Sequence, residues 1–146
     1  MFRASDNLSL AADYRNRPWS GSEYFQDGEK WDDEFWKLQD ANSFHVGLEY
    51  LVQSGKAILP LRLGFYTLPT PATDYDYVNN KEGDQISYNA ITAGLGLVMG
   101  SFIVDGSFEY RFGSYIGDYD GEAMKNVEYT ISDFKVTLGA TIHLGK

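Results

Sequence analysis

Apolar and polar residues alternate strictly through six separate stretches of this chain, and that two-residue period limits what it can fold into more than any other feature. In Phe44-His45-Val46-Gly47-Leu48-Glu49-Tyr50, the residues Phe44, Val46, Leu48 and Tyr50 point to one face and His45, Gly47 and Glu49 to the other. The same alternation sets Leu59, Leu61, Leu63 and Phe65 against Arg62, Gly64 and Tyr66. It also sets Phe102, Val104, Phe108, Tyr110 and Phe112 against Asp105, Ser107, Glu109 and Arg111. Strands are therefore predicted over roughly 7–15, 44–53, 56–68, 86–99, 102–113 and 129–144. Each strand divides two surroundings, one that accepts large apolar side chains and one that accepts ions.

The linkers between these strands run long, tight, long, tight, long, which puts every long linker at one end of an antiparallel sheet. Outer-membrane β-barrels have this asymmetry, with short turns on one side of the bilayer and long loops on the other. Gly100-Ser101 suits a two-residue hairpin with glycine first, and Ser54-Gly55 is a second candidate. Pairing outward from Gly100-Ser101 sets Leu97 against Val104, Ala93 against Phe108, Gly96 against Asp105, Thr92 against Glu109 and Ala90 against Arg111. Around Ser54-Gly55, Leu48 is expected opposite Leu61, Val46 opposite Leu63 and Phe44 opposite Phe65, with Glu49 diagonal to Arg62. The apolar row stays on one face through both hairpins. The predicted fold is an all-β, antiparallel, up-and-down transmembrane barrel, of which about six strands are present as the C-terminal part of a larger closed structure.

Composition narrows the alternatives. No apolar run approaches the ~20 residues that a spanning helix needs, and the mean hydropathy is −0.36. Tilted strands of about ten residues do cross a bilayer. With no cysteine there is neither a disulfide framework nor thiol chemistry. The net charge of −9 sits in the long linkers, where Glu23, Asp27, Glu29, Asp32, Asp33, Glu34 and Asp40 outnumber Arg17, Lys30 and Lys37. Asp74, Asp76, Glu82 and Asp84 outnumber Lys81, and Asp118, Asp120, Glu122 and Glu128 outnumber Lys125. Such acidity argues against nucleic acid as a partner, because a phosphate backbone needs a basic footprint.

The succession of motifs resembles one known family. The strand Phe44 to Tyr50, Pro60-Leu61-Arg62-Leu63-Gly64-Phe65-Tyr66, the prolines Pro69 and Pro71, Ala93-Gly94-Leu95-Gly96-Leu97, and Phe102-Ile103-Val104-Asp105-Gly106-Ser107-Phe108-Glu109-Tyr110-Arg111-Phe112-Gly113 are similar to the C-terminal half of the FadL/TodX outer-membrane transporters. The resemblance implies a monomeric barrel of about fourteen strands with a plug, carrying long-chain fatty acids or other hydrophobic compounds across a Gram-negative-type outer membrane. Lipids and lipopolysaccharide would be its surroundings and a hydrophobic small molecule its ligand, with no cofactor. The chain departs from the family in ending His143-Leu144-Gly145-Lys146, without a terminal aromatic residue.

Candidate site residues fall into two groups. Asp13, Arg15, His45, Glu49, Arg62, Asp105, Glu109, Arg111, Asp133 and Lys135 share the polar row and are expected to form a cross-strand network inside the lumen. Trp31, Phe35 and Leu38 fall at i, i+4 and i+7, so a short helix there presents one apolar face, either packing the loop on the rim or capturing a lipophilic ligand. His45 and Asp13 also have the chemistry of a base and its orienter, which leaves a barrel enzyme as an alternative to a transporter. A structural or adhesive barrel is another. His143 lies far from His45, so no shared metal site is expected. The alternate carboxylates of Asp74-Tyr75-Asp76 and Asp118-Tyr119-Asp120-Gly121-Glu122 read as acidic turns rather than calcium loops. A soluble lipocalin-like barrel is disfavoured, because it would crowd Leu59, Leu61, Leu63 and Phe65 inside with Phe44, Val46 and Leu48.

Overall fold

The computed structural model describes residues 1–23, 25–30, 38–117 and 126–144. Its strands are β1 (Phe2–Arg3), β2 (Leu8–Arg17), β3 (Phe25–Gln26), β4 (Glu29–Lys30), β5 (Ala41–Ser54), β6 (Ala57–Asp76), β7 (Lys81–Met99), β8 (Phe102–Gly117) and β9 (Val127–Ile142). Seven form one antiparallel sheet in the order β1-β2-β5-β6-β7-β8-β9, while β3 and β4 make a separate ribbon. All six expected strands are present, each beside its predecessor in the sheet, and β2 is not paired with β9. The one helical element among the described residues is a 3-10 turn at Trp19–Gly21.

The β7–β8 hairpin has the expected register, with Leu97 opposite Val104, Gly96 opposite Asp105 and Ala90 opposite Arg111. Gly100 takes φ +58°, the backbone that the first residue of such a turn requires and that glycine adopts without steric cost. The β5–β6 hairpin differs from expectation. Its turn residues are Gly55-Lys56, so Ser54 pairs with Ala57, Leu48 with Leu63, Val46 with Phe65, and Glu49 directly with Arg62. Gly55, at φ +61°, is again first in the turn. The slip preserves parity, so every side chain keeps its predicted face.

The long linker expected over residues 69–85 is a second correction. The strands continue, and Asp76 pairs with Lys81 around a short turn. Pro69 and Pro71 lack the amide hydrogen a ladder needs, and the register breaks between Pro69 and Thr73 instead of ending. Neighbouring groups fill the gap. The Gln39 amide donates to Pro71 O at 2.8 Å, and Gln85 Nε2 donates to Thr70 O at 2.7 Å and Asp40 O at 3.0 Å. Asp74, Asp76, Glu82 and Asp84 consequently stand on strands near a hairpin tip rather than in a loop.

Burial along the sheet is inverted relative to a soluble domain. Phe44 is 57% exposed, Leu63 56% and Leu95 55%, whereas Ser43 on the opposite face is 6% exposed and Ala90 is fully buried. Ala41, Pro60 and Ala90 have buried apolar side chains, and no large side chain among the described residues is fully buried. A soluble domain of this length buries roughly 68–70% of its unfolded surface around an apolar core. Here the cohesion comes from backbone ladders and from cross-strand pairs worth about 0.2–1 kcal/mol each. Among the described residues, nothing covers the apolar face.

Candidate functional site

Arg62 of β6 and Asp105 of β8 meet across β7 on the polar face, the face expected to turn inward. They can meet because β7 contributes only Ala90, Thr92, Gly94 and Gly96 between them. Arg62 Nε donates to Glu49 Oε2 at 2.7 Å, and its Nη1 donates to Asp105 Oδ1 at 2.8 Å. Gly96 is required beneath this bridge. A Cβ there would lie 2.6 Å from Asp105 Oδ1 and 3.3 Å from the Pro60 ring.

A second cluster lies two rows nearer the rim. Arg111 donates through Nε and Nη2 to both Asp133 oxygens at 2.9 Å, a bidentate geometry that fixes the guanidinium plane. Glu109 lies 3.9 Å from Arg111. Lys135 stands opposite Glu109 in register. Of the expected network, the structure joins Glu49, Arg62 and Asp105 in one cluster and Glu109, Arg111 and Asp133 in another.

Asp13 and His45 are register partners, but the Asp13 carboxylate accepts from Arg15 Nε at 2.9 Å. The His45 ring stacks on Tyr66 at 5.2 Å and 9°, with Ser43 Oγ 3.4 Å away. Each group has another partner, so this arrangement is not an assembled acid–base dyad. Together with Ala11, Gly47, Gly64 and Arg62 they border a hollow of about 420 Å³ whose floor is the side-chain-poor row Ala11-Gly47-Gly64. Among the described residues, no three His, Cys, Asp or Glu side chains gather as metal ligands.

Of the proposed capture stripe, Trp31 and Phe35 lie outside the described residues, as do Asp118 to Glu122. Leu38 is half-buried and outside any helix or strand. Two hydrogen bonds pin the segment that follows it. One is the Gln39 contact to Pro71 described above, and in the other the Ser20 amide donates to Asp40 Oδ1 at 2.9 Å; the Ser20 side chain first, and this amide second, hold the Asp40 carboxyl below its usual pKa.

Sequence reasoning missed one feature of the inner face. Nearer the rim than Arg111, the inner face becomes apolar, with Leu68 opposite Tyr88 between β6 and β7, and Gly113 opposite Ile131 and Tyr115 opposite Tyr129 between β8 and β9. At the same level the outer face becomes polar, with Asn42, Thr67, Asn89, Ser87, Ser114 and Ser132. The two faces exchange polarity. The signal is present in the chain, since Tyr129 and Ile131 are odd-numbered while Phe134, Val136 and Leu138 are even-numbered, a one-residue change of phase within β9. Phe112 stands in register between Asn89 and Ser132, Tyr110 lies one outer row below them, and Tyr14 pairs with Phe44. Tyr14 donates its hydroxyl to Asn42 Oδ1 at 2.7 Å, and the Tyr110 hydroxyl lies 2.9 Å from Ser132 Oγ.

Comparison of the chain with protein-family models, with characterised proteins and with solved structures gives no match to any of them.

Proposed function

We propose that this sheet is the wall of a transmembrane β-barrel in an outer membrane, belonging to a channel for hydrophobic small molecules of the FadL/TodX kind. The observation that carries the membrane assignment is the exposed apolar band backed by ion pairs. On β7 the band runs from Met99 to just below Asn89, and ten residues of strand at ~3.4 Å each span about 34 Å. Tilted by about 45°, that length stands about 24 Å tall, against the apolar band of about 25 Å that such barrels present to lipid. Aromatic residues at the band's upper margin match the girdle at a membrane interface. Transport of hydrophobic compounds is supported by the resemblance of the strand succession.

The inside-out assignment is testable because the chain has no cysteine. Leu63→Cys on the apolar row and Thr92→Cys on the inner row are refolded into phospholipid vesicles and exposed to a charged, water-soluble maleimide. Leu63→Cys is expected to be protected and Thr92→Cys to react. The reverse result would reject the membrane assignment. Uptake of a hydrophobic dye by the same vesicles, measured against empty ones, tests the channel.

A further inference from the structure

We propose that the free edge of β9 pairs with the β2 edge of a second copy of this chain, so that strands of two chains close the barrel wall. The proposal rests on the membrane reading above and departs from the monomeric barrel that the family resemblance implies.

Both edges need a partner in lipid. The described sheet ends at β9 on one side. On the other, the two residues of β1 cover the β2 edge opposite Ser9 and Leu10. Edge amides and carbonyls cannot stay unpaired within a bilayer. The β9 edge is the more open, since Phe134 is 72% exposed and Leu138 81%, well above Leu63 and Leu95 on the inner strands. β1 shows that the β2 edge takes an added strand. It offers two pairs where all ten residues of Leu8–Arg17 are open to β9, and it gives way.

Direction and register select β9 as the added strand. Five antiparallel pairings separate β2 from β9, so the two strands run in opposite directions. Joining them between copies keeps both chains the same way up, whereas pairing β9 with β9 would invert one copy or turn its inner face to lipid. Shifts by an even number of residues keep inner side chains inside. With Asp13 opposite Lys135, Arg15 falls opposite Asp133, and the outer row reads Leu10 with Leu138, Ala12 with Val136 and Tyr14 with Phe134. A shift of two residues one way sets Asp13 against Asp133, and the other way sets Arg15 against Lys135. Like charges directly opposite destabilise a strand pair, so the charges admit one alignment of the three. Arg111 donates to Asp133 from the β8 side, and a carboxylate has lone pairs for a second cation. The seam thus extends that ion cluster from β9 to Arg15 and Asp13, which are already paired with each other.

Size assigns the partner to a second copy rather than to the same chain. A barrel of about eight strands has an interior that side chains just fill. The long strands here are β2 and β5 to β9. Closed on themselves they would leave no space for both ion clusters and the hollow of about 420 Å³ beside them. Two copies joined head to tail form a ring with two identical seams.

The test uses the chain's lack of cysteine. Ala11→Cys and Thr137→Cys, opposite each other in this alignment, are refolded together in phospholipid vesicles, oxidised with copper phenanthroline and run on a non-reducing gel. Opposed residues of antiparallel strands have Cα atoms about 4.5–5.5 Å apart, inside disulfide range. The mixture is therefore expected to give a covalent dimer, and each variant alone none. Using Lys135→Cys or Gly139→Cys in place of Thr137→Cys moves the thiol about 7 Å along the strand and should lower the yield at least about tenfold. Equal yields at the three positions would overturn the register. The double variant Ala11→Cys/Thr137→Cys should also give a dimer, and a disulfide within one chain would overturn the second copy. Absence of any disulfide, with Leu63→Cys and Thr92→Cys showing the expected maleimide pattern, would give the β2 edge to another strand and overturn the pairing. Native mass spectrometry of the unsubstituted chain, expected at twice 16.5 kDa, decides the matter if the cysteine variants fail to fold; any other mass would overturn the two-chain barrel. A reversed maleimide pattern would instead reject the membrane reading itself.

Discussion

Replacing Arg62 by Met removes the cation that two carboxylates share across β7, and the cost can be worked from the geometry. Glu49 and Asp105 each lie within 2.8 Å of the same guanidinium, which places their charges on the order of 5 Å apart. At an effective dielectric of about 20, two like charges at that separation repel by roughly 3 kcal/mol. The side chains are 25% exposed for Glu49, 42% for Asp105 and 44% for Arg62, so water screens much of that repulsion. The expected destabilisation is about 1–2 kcal/mol, above the ~0.2–1 kcal/mol of an exposed pair and below the 3–5 kcal/mol of a fully buried one. Lys30→Met, at the exposed pair with Glu23, is the control and should cost under about 0.5 kcal/mol. Urea unfolding in phospholipid vesicles, followed by tryptophan fluorescence, measures both. Adding Asp105→Asn to Arg62→Met should recover part of the loss, because one of the two repelling charges is gone. If Arg62→Met costs no more than Lys30→Met, or if Asp105→Asn brings no recovery, the two carboxylates are not coupled through Arg62 and the convergent inner face is wrong.

Further outcomes follow from the same geometry. Leu63→Arg near the middle of the apolar band should cost about 2–4 kcal/mol in vesicles and Met99→Arg at its lower margin about 0–1 kcal/mol, whereas Ser107→Arg on the inner face should fold nearly as the unsubstituted chain does. Gly96→Val should destabilise by about 1–3 kcal/mol through overpacking, since its side chain would enter the space of Asp105 and Pro60; the same urea titration reads it. At the β6–β7 tip, hydrogen bonds from Asn79 and Asn126, joined by the Val78 amide, hold the Asp76 carboxyl down to about 2. Because the folded value is depressed, the tip's added stability is complete above the ordinary value of 3.8 and is lost as pH falls through about 2. Amide exchange at Val78 and Asn79 should accelerate across that window, and Asp76→Asn should remove the change.

The exposed apolar band and the polarity exchange at the rim are two consequences of one physical rule. Within the band, outward apolar side chains require an apolar surrounding, and inward ions require one another. On the proposed membrane reading, water covers the outer face above the band, so polar residues move outward and apolar ones inward. A one-residue change of phase is enough, because neighbouring residues in a strand point to opposite faces. In β9 the change falls between Ile131 and Phe134; in β7 it falls around Ala90, which is fully buried between Tyr66 and Arg111. These positions mark the boundary between the two regimes.

The residues alone determined the six strands and the face of each side chain, because a two-residue period is a local property that survives small errors of register. They also determined the β7–β8 pairing, since glycine in the first turn position at Gly100 leaves one alignment. Applied uniformly, the same rule selects Gly55-Lys56 over Ser54-Gly55; the two alignments share their parity, so alternation could not separate them. Tertiary structure decided what depends on strands that are not neighbours. Arg62 meets Asp105 only because Gly94 and Gly96 leave β7 low enough for β6 and β8 side chains to meet above it. It also decided that Pro69 and Pro71 interrupt β6 without ending it, because Gln39 and Gln85 donate to the Pro71 and Thr70 carbonyls that the broken register leaves. A proline removes a donor wherever it stands, and whether the strand continues depends on what the rest of the chain brings to that gap.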